Sequence, residues 1–148
     1  MGSTILTRQQ ITLVQESFAR LAHDKARFGA SFFKRLFKLD PSLEQSFAGV
    51  DMQAHALKLV AAISFAVGGL RRPETLVGPV QQLGAAHVGY GATAAHYTTA
   101  GRALLRTLSD FLEDIWTPEL SAAWNAAFNE ITRLMLAGAA RPPSELAA

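Results

Sequence analysis

Residues 52–70 read MQAHALKLVAAISFAVGGL, and within them Met52, His55, Ala56, Leu59, Val60, Ile63, Ala66, Val67 and Leu70 recur at steps of three and four. That spacing puts them on one face of an α-helix, because a residue three or four positions on returns to the same side. The helix is long, largely apolar and ended near Gly68-Gly69, which predicts a deeply buried element. Lys58 interrupts the apolar run and Arg71-Arg72 closes it, leaving it too short to cross a membrane. One polar residue, His55, stands inside the stripe.

Toward the C-terminus, Arg71-Arg72-Pro73-Glu74 reads as a turn, and Leu76, Val80, Leu83, Gly84 and His87 form the next helical stripe, broken by Gly89 and Gly91. Two long helices follow, one carrying Tyr97, Ala100, Leu104, Leu108, Phe111 and Ile115, the other Leu120, Trp124, Ala127, Phe128, Ile131, Leu134 and Met135. Thr117-Pro118 supplies the cap and first residue of the second. Toward the N-terminus, Ala30, Phe33, Leu36 and Phe37 mark a helix stopped at Asp40-Pro41, and that dipeptide opens a short helix running to about Phe47. Ile11, Val14, Phe18 and Leu21 give the first helix, with Thr7 and Gln10 placed for a capping box. No stretch alternates as a strand would. The expectation is an all-α fold of six to eight helices in a single domain over residues 1–148, with an ordered core at 7–138 and a frayed tail at 139–148.

At 148 residues the chain suits one domain that buries about two-thirds of its unfolded surface. Apolar residues make up 49% and charged residues 18%, the balance of a core-forming chain. The absence of cysteine excludes thiolate zinc, iron–sulfur clusters, thiol nucleophiles and covalent haem attachment. A net charge of +2, scattered along the chain, argues against nucleic acid, and Lys34, Arg35 and Lys38 are too isolated for a DNA-reading helix. The first eight residues lack the basic start and apolar stretch of a secretion signal, so a cytoplasmic protein is expected. Gly89-Tyr90-Gly91 follows a helix and lacks a third glycine, and no zinc-protease or nucleophile-elbow motif occurs.

The four histidines hold the remaining chemistry. His23 sits at a helix end, where a solvent-facing residue is expected, and His96 lies off the stripe that Tyr97 shares with Ala100 and Leu104. A single histidine in an apolar stripe is ordinarily a hydrogen-bonded core residue. Two, His55 and His87, on separate helices change that balance, because neutral imidazole is a good iron ligand and an apolar pocket protects ferrous iron. Phe28, Phe32, Phe33, Phe37 and Phe47 add flat surface such as a porphyrin would contact, although an ordinary core uses phenylalanine similarly.

From about Thr7 to Met135 the sequence resembles a globin, specifically a bacterial single-domain globin akin to the haem domain of flavohaemoglobins and to neuroglobin. The residues carrying the resemblance are Phe33-Lys34-Arg35-Leu36-Phe37 leading to Asp40-Pro41, Phe47 six residues after Pro41, and the segment 83–91, LGAAHVGYG. His96-Tyr97 with Gly101 and Leu104-Leu105, then Trp116-Thr117-Pro118 and Ala123-Trp124, match the last two helices. The resemblance implies one non-covalent haem b, with His87 as proximal ligand, Phe47 on the porphyrin face, Leu59 and Phe33 shaping the distal cavity, and Leu83 and Tyr97 on the proximal side. For the distal position, Gln53 would bring Lys58 into the core, where a charge is costly. His55 instead leaves Leu59, Val60, Ile63 and Val67 on the buried face and Lys58 at the rim, either pairing with a propionate or solvated.

Three departures from these relatives bear on function. Phe33 stands where flavohaemoglobins carry a distal tyrosine, which implies that His55 alone does the polar work and, as in neuroglobin, binds iron when no gas is present. Ala139 stands where a proximal glutamate is kept, which implies weaker imidazolate character at His87. No reductase unit follows in the sequence, so turnover needs a separate reductase. The expected ligands are oxygen, carbon monoxide and nitric oxide, and the expected state is a monomer or weak dimer without nucleic acid or membrane span. The alternatives are a nitric oxide dioxygenase or nitrite reductase, and a non-haem interaction module with the same fold.

Overall fold

A computed structural model describes residues 6–89 and 92–140. Within them, seven α-helices follow in order: α1 (Arg8–Ala19), α2 (Lys25–Leu39), α3 (Ser42–Gln45), α4 (Met52–Gly68), α5 (Val77–Gly89), α6 (Ala94–Phe111) and α7 (Pro118–Ala139). A single 3₁₀ turn, Pro73–Thr75, joins α4 to α5, and no strand occurs among the described residues. The all-α expectation holds. The N-terminal residues 1–5, Tyr90-Gly91 and the tail from 141 onward lie outside the described residues, while Ala139 is the last residue of α7.

Helix ends are where short-range chemistry decides. Thr7 and Gln10 form the expected reciprocal box, the Gln10 amide N–H donating to Thr7 Oγ1 and the Thr7 N–H to Gln10 Oε1, each at 3.0 Å. Asp51 Oδ1 accepts from the Gln53 and Ala54 amides at 3.1 and 3.2 Å and so fixes the start of α4. Thr117 Oγ1 accepts from the Leu120 amide at 3.1 Å, with Pro118 at the first helical position of α7. The helix expected to reach Phe47 is shorter: α3 ends at Gln45, and turns carry the chain through Gly49, whose φ of +79° suits glycine. The chain must reverse here to enter α4, and four helical residues leave room for that reversal.

α2 lies between α4 and α6, α1 packs against α7, and α5 lies along α7. Phe28, Val14, Val60, Leu76, Leu108 and Leu112 are fully buried and join these helices into one core. At the α2–α4 crossing the backbones nearly touch, since a methyl group placed on Gly29 would lie 2.6 Å from the Ala56 carbonyl oxygen. The indole N–H of buried Trp124 donates to Ser17 Oγ at 2.9 Å, tying α7 to α1, and Ser17 Oγ in turn donates to the Leu13 carbonyl at 2.7 Å. One consequence dominates the rest. α4 leans on α2 and α1 while α5 leans on α7, and no broad contact joins α4 to α5.

Candidate functional site

The two stripe histidines lie on these two separated helices. His87, in the last turn of α5, has Nδ1 2.8 Å from the Leu83 carbonyl oxygen one turn earlier. A carbonyl only accepts, so the hydrogen resides on Nδ1 and the lone pair on Nε2. This bond fixes both the tautomer and the ring orientation, as the second nitrogen of a metal-ligating histidine requires. The Tyr97 ring lies 6.4 Å from that of His87 at 32°. Tyr97 is buried, its hydroxyl has no hydrogen-bond partner among the described residues, and burial raises its pKa so that the phenol stays protonated.

His55, one turn into α4, sits in an aromatic cluster. Its ring centroid is 5.2 Å from Phe47 at 69° and 5.4 Å from Phe33 at 51°. Phe33 and Phe47 are 5.5 Å apart, and Phe37 lies 5.3 Å from Phe47. Phe33 and Phe37 come from α2 at i and i+4, and Phe47 comes from the turns after α3, so two segments pack this cluster around the imidazole of α4. Burial above all, then the charge of Lys58, then that of His87, lowers the His55 pKa and keeps the imidazole neutral.

Between them runs an apolar seam. Leu59 and Ile63 share the face of α4 that carries His55 and are only partly covered, and Leu83 on α5 is 36% exposed. Half-covered apolar side chains on two helices that hardly touch, with an imidazole on each, suit a flat apolar group with a metal at its centre. Among the described residues no group of three or more histidine or acidic side chains could hold a metal ion. Two imidazoles therefore need further donors from outside the chain, as the four nitrogens of a porphyrin would supply. A groove of about 660 Å³ between α2 and α4 includes Phe33 and Phe37 but neither histidine, so the seam is the better candidate on chemical grounds.

The structure thus brings His55, Phe33 and Phe47 together, and His87, Leu83 and Tyr97 together, with Leu59 one turn beyond His55 and Lys58 exposed at the edge. Phe28 does not belong to this group, because it packs edge-on against Phe111 at 5.4 Å in the α2–α6 core. Phe37, named with it in the sequence, does belong to this group as a direct neighbour of Phe47. His96 has a structural task that sequence reading missed. Its Nδ1 accepts from the Thr93 amide at 3.1 Å, and with Thr93 it closes the capping box of α6. The familiar box pattern ends in Glu or Gln, so a histidine there gave no signal. His23 is exposed in the turn after α1.

The sequence model of the globin family matches residues 30–135. The chain is 28% identical over 143 residues to Leghemoglobin-1 of Lupinus luteus, covering 86% of this chain and 91% of that protein. It is also 28% identical over 130 residues to Anaerobic nitrite reductase NSHB5 of Oryza sativa subsp. indica, covering 82% and 88%.

Proposed function

The chain belongs to the globin family, and from that premise we propose that it holds one haem b non-covalently in the seam between α4 and α5 and reversibly binds oxygen, carbon monoxide or nitric oxide. His87 is the ligand on the α5 side, oriented by its bond to the Leu83 carbonyl. His55 faces it from α4, neutral, within its aromatic cluster. Bound haem iron supplies a coordination position for a small gas. The chain's own residues do the rest: Leu59, Ile63 and Leu83 exclude water, Phe47 and Phe33 hold the His55 imidazole, and Lys58 stands where it can meet a propionate. What supports this reading is a histidine on each of two helices that make little contact, His87 with its ring held by the Leu83 carbonyl and His55 within an aromatic cluster.

Within the same proposal, His55 and His87 would both hold the iron when no gas is bound, and a gas would compete with His55 for its place. Phe33 supports this, because no hydroxyl on that side competes with His55 for the iron or the ligand. The likeness to bacterial single-domain globins, carried by Pro41, Phe47 and segment 83–91, belongs to the proposal too. So do a cytoplasmic location and roles in oxygen handling, nitric oxide detoxification or gas sensing. No helix among the described residues is long and apolar enough to cross a membrane. A second reading, reductive or oxidative turnover of nitrite or nitric oxide with a separate reductase, is favoured by the name of the Oryza relative.

Absorption spectra of the ferric, ferrous and carbonyl forms of the wild type, His55→Ala and His87→Ala test the proposal. The wild type should take up haem and give a low-spin ferrous spectrum, His87→Ala should lose haem readily, and His55→Ala should keep it and bind carbon monoxide faster. No Soret band after haem addition overturns the haem reading. A high-spin five-coordinate ferrous wild type overturns the two-histidine resting state.

A further inference from the structure

α5 rests on α7 through two glycines that face each other's backbones. A methyl group placed on Gly84 would lie 2.5 Å from the Met135 carbonyl carbon and closer still to its oxygen. One placed on Gly138 would lie 2.5 Å from the Gln81 carbonyl carbon and again closer to the oxygen. The arrangement is reciprocal: each glycine sits three residues after the carbonyl that the opposite glycine meets. Gly84 and Gly138 are both buried. Ordinary contacts begin at 3.4 Å, so a single methyl on either side needs more than about 1 Å of extra separation. Because it meets carbonyl groups rather than the far end of a flexible side chain, the helices themselves must move.

Gly84 is three residues before His87 and adjacent to Leu83, whose carbonyl orients the His87 ring. A displacement of α5 from α7 is therefore carried to the imidazole with little chance of being absorbed between them. We propose that the Gly84–Gly138 notch is a positioning device: it sets the seat of His87 and thereby the strength of the bond from His87 to haem iron. The inference rests on the haem reading above and adds to it the pair of residues that tune the proximal ligand. A shift of about 1 Å exceeds the roughly 0.5 Å within which a functional site keeps its geometry. The groups that orient a metal ligand commonly change metal retention by about 10-fold to 100-fold when altered.

The test uses the full chain with His55→Leu as background, so that His87 is the only protein ligand to ferrous iron. Gly84→Ala and Gly138→Ala are introduced separately, and Val14→Ala, in the buried face of α1, serves as a stability control. Resonance Raman of the ferrous proteins reads the iron–histidine stretch, and transfer of haem to a scavenging apoprotein reads retention. Both glycine variants should shift the stretch and release haem about tenfold faster or more, whereas Val14→Ala should lower thermal stability with the band in place. In a His87→Gly protein supplied with imidazole, the ligand is no longer tied to α5, and Gly84→Ala should then leave the iron–imidazole band unmoved. Glycine variants that lose stability but keep the wild-type band overturn the inference, as does an equal band shift in the imidazole-rescued protein. Should Gly84→Ala not fold, Gly138→Ala, the penultimate residue of α7, decides the matter. A background chain that takes up no haem refutes the haem reading itself, a result separate from haem bound with an unmoved band.

Discussion

Ser17→Ala isolates one buried interaction and gives it a number. In the native chain Ser17 is 3% exposed and Trp124 2% exposed, and the indole N–H donates to Ser17 Oγ at 2.9 Å. Alanine removes the acceptor without opening a cavity of consequence, and it leaves an N–H in apolar surroundings with nothing to bond. The Leu13 carbonyl, which accepts from Ser17 Oγ, remains in its helix. Leaving one buried donor unsatisfied costs about 1–3 kcal/mol. In chains of about this length each kcal/mol lowers the melting temperature by about 2–4 °C, so Ser17→Ala should melt about 2–12 °C lower. Thermal unfolding followed by far-ultraviolet circular dichroism, on the apoprotein and after haem addition, reads this directly. Trp124→Phe will also destabilise, through lost volume, but with the N–H gone Ser17→Ala should then cost much less, giving a coupling of about 1 kcal/mol or more. If the Ser17→Ala costs are equal in the two backgrounds, the unsatisfied donor is not the cause and the reasoning fails.

Three further outcomes follow from the site. The folded-state pKa of His55 lies below its ordinary 6.5, so the unfolded chain binds a proton that the folded chain resists. Its contribution to stability is then complete above about pH 6.5 and shrinks as pH falls further, and His55→Leu should flatten the decline of urea midpoints between about pH 6.5 and 5. Gly29→Ala drives a methyl to 2.6 Å from the Ala56 carbonyl oxygen. It should cost about 1–3 kcal/mol by overpacking and, because Ala56 follows His55, should also alter carbon monoxide association measured by flash photolysis. Phe33→Tyr sets a hydroxyl among the rings around His55. A hydrogen bond to bound oxygen of charge-assisted strength, about 1.5–3 kcal/mol, would slow oxygen dissociation about 10-fold to 150-fold in stopped-flow measurements, and an unchanged rate would mean the hydroxyl does not reach the ligand.

What could be read without coordinates depended on whether the information was local. α4 and α5 were visible because their burial repeats with the helical period, and α1 and α7 declared their starts through Thr7 and Thr117, whereas the Asp51 cap of α4 came only from the structure. His55 and His87 stood out as polar residues within apolar stripes, and the choice of His55 over Gln53 followed from where each would leave Lys58. Phe28 was misplaced because a phenylalanine at helical spacing looks the same whether its partner is a cofactor or Phe111. α3 was overestimated because Asp40-Pro41 marks where a helix can begin but not how soon the chain must turn. The Gly84–Gly138 contact joins positions more than 50 residues apart in the chain, and no periodicity within either helix announces it. His96 was passed over for a subtler reason: its nitrogen serves a backbone amide in the role usually filled by glutamine.

The tight crossing of Gly29 and Ala56 has a kinetic corollary. With Ala56 pressed against one backbone and the helix start tethered by Asp51, the segment bearing His55 cannot slide to admit a visitor. Opening at that residue must come from the imidazole turning about its own side-chain bonds rather than from the microsecond-to-millisecond displacement of a helix. The doorway is a hinge-hung ring in a rigid frame, and its swing will be governed by the crowding of Phe33 and Phe47.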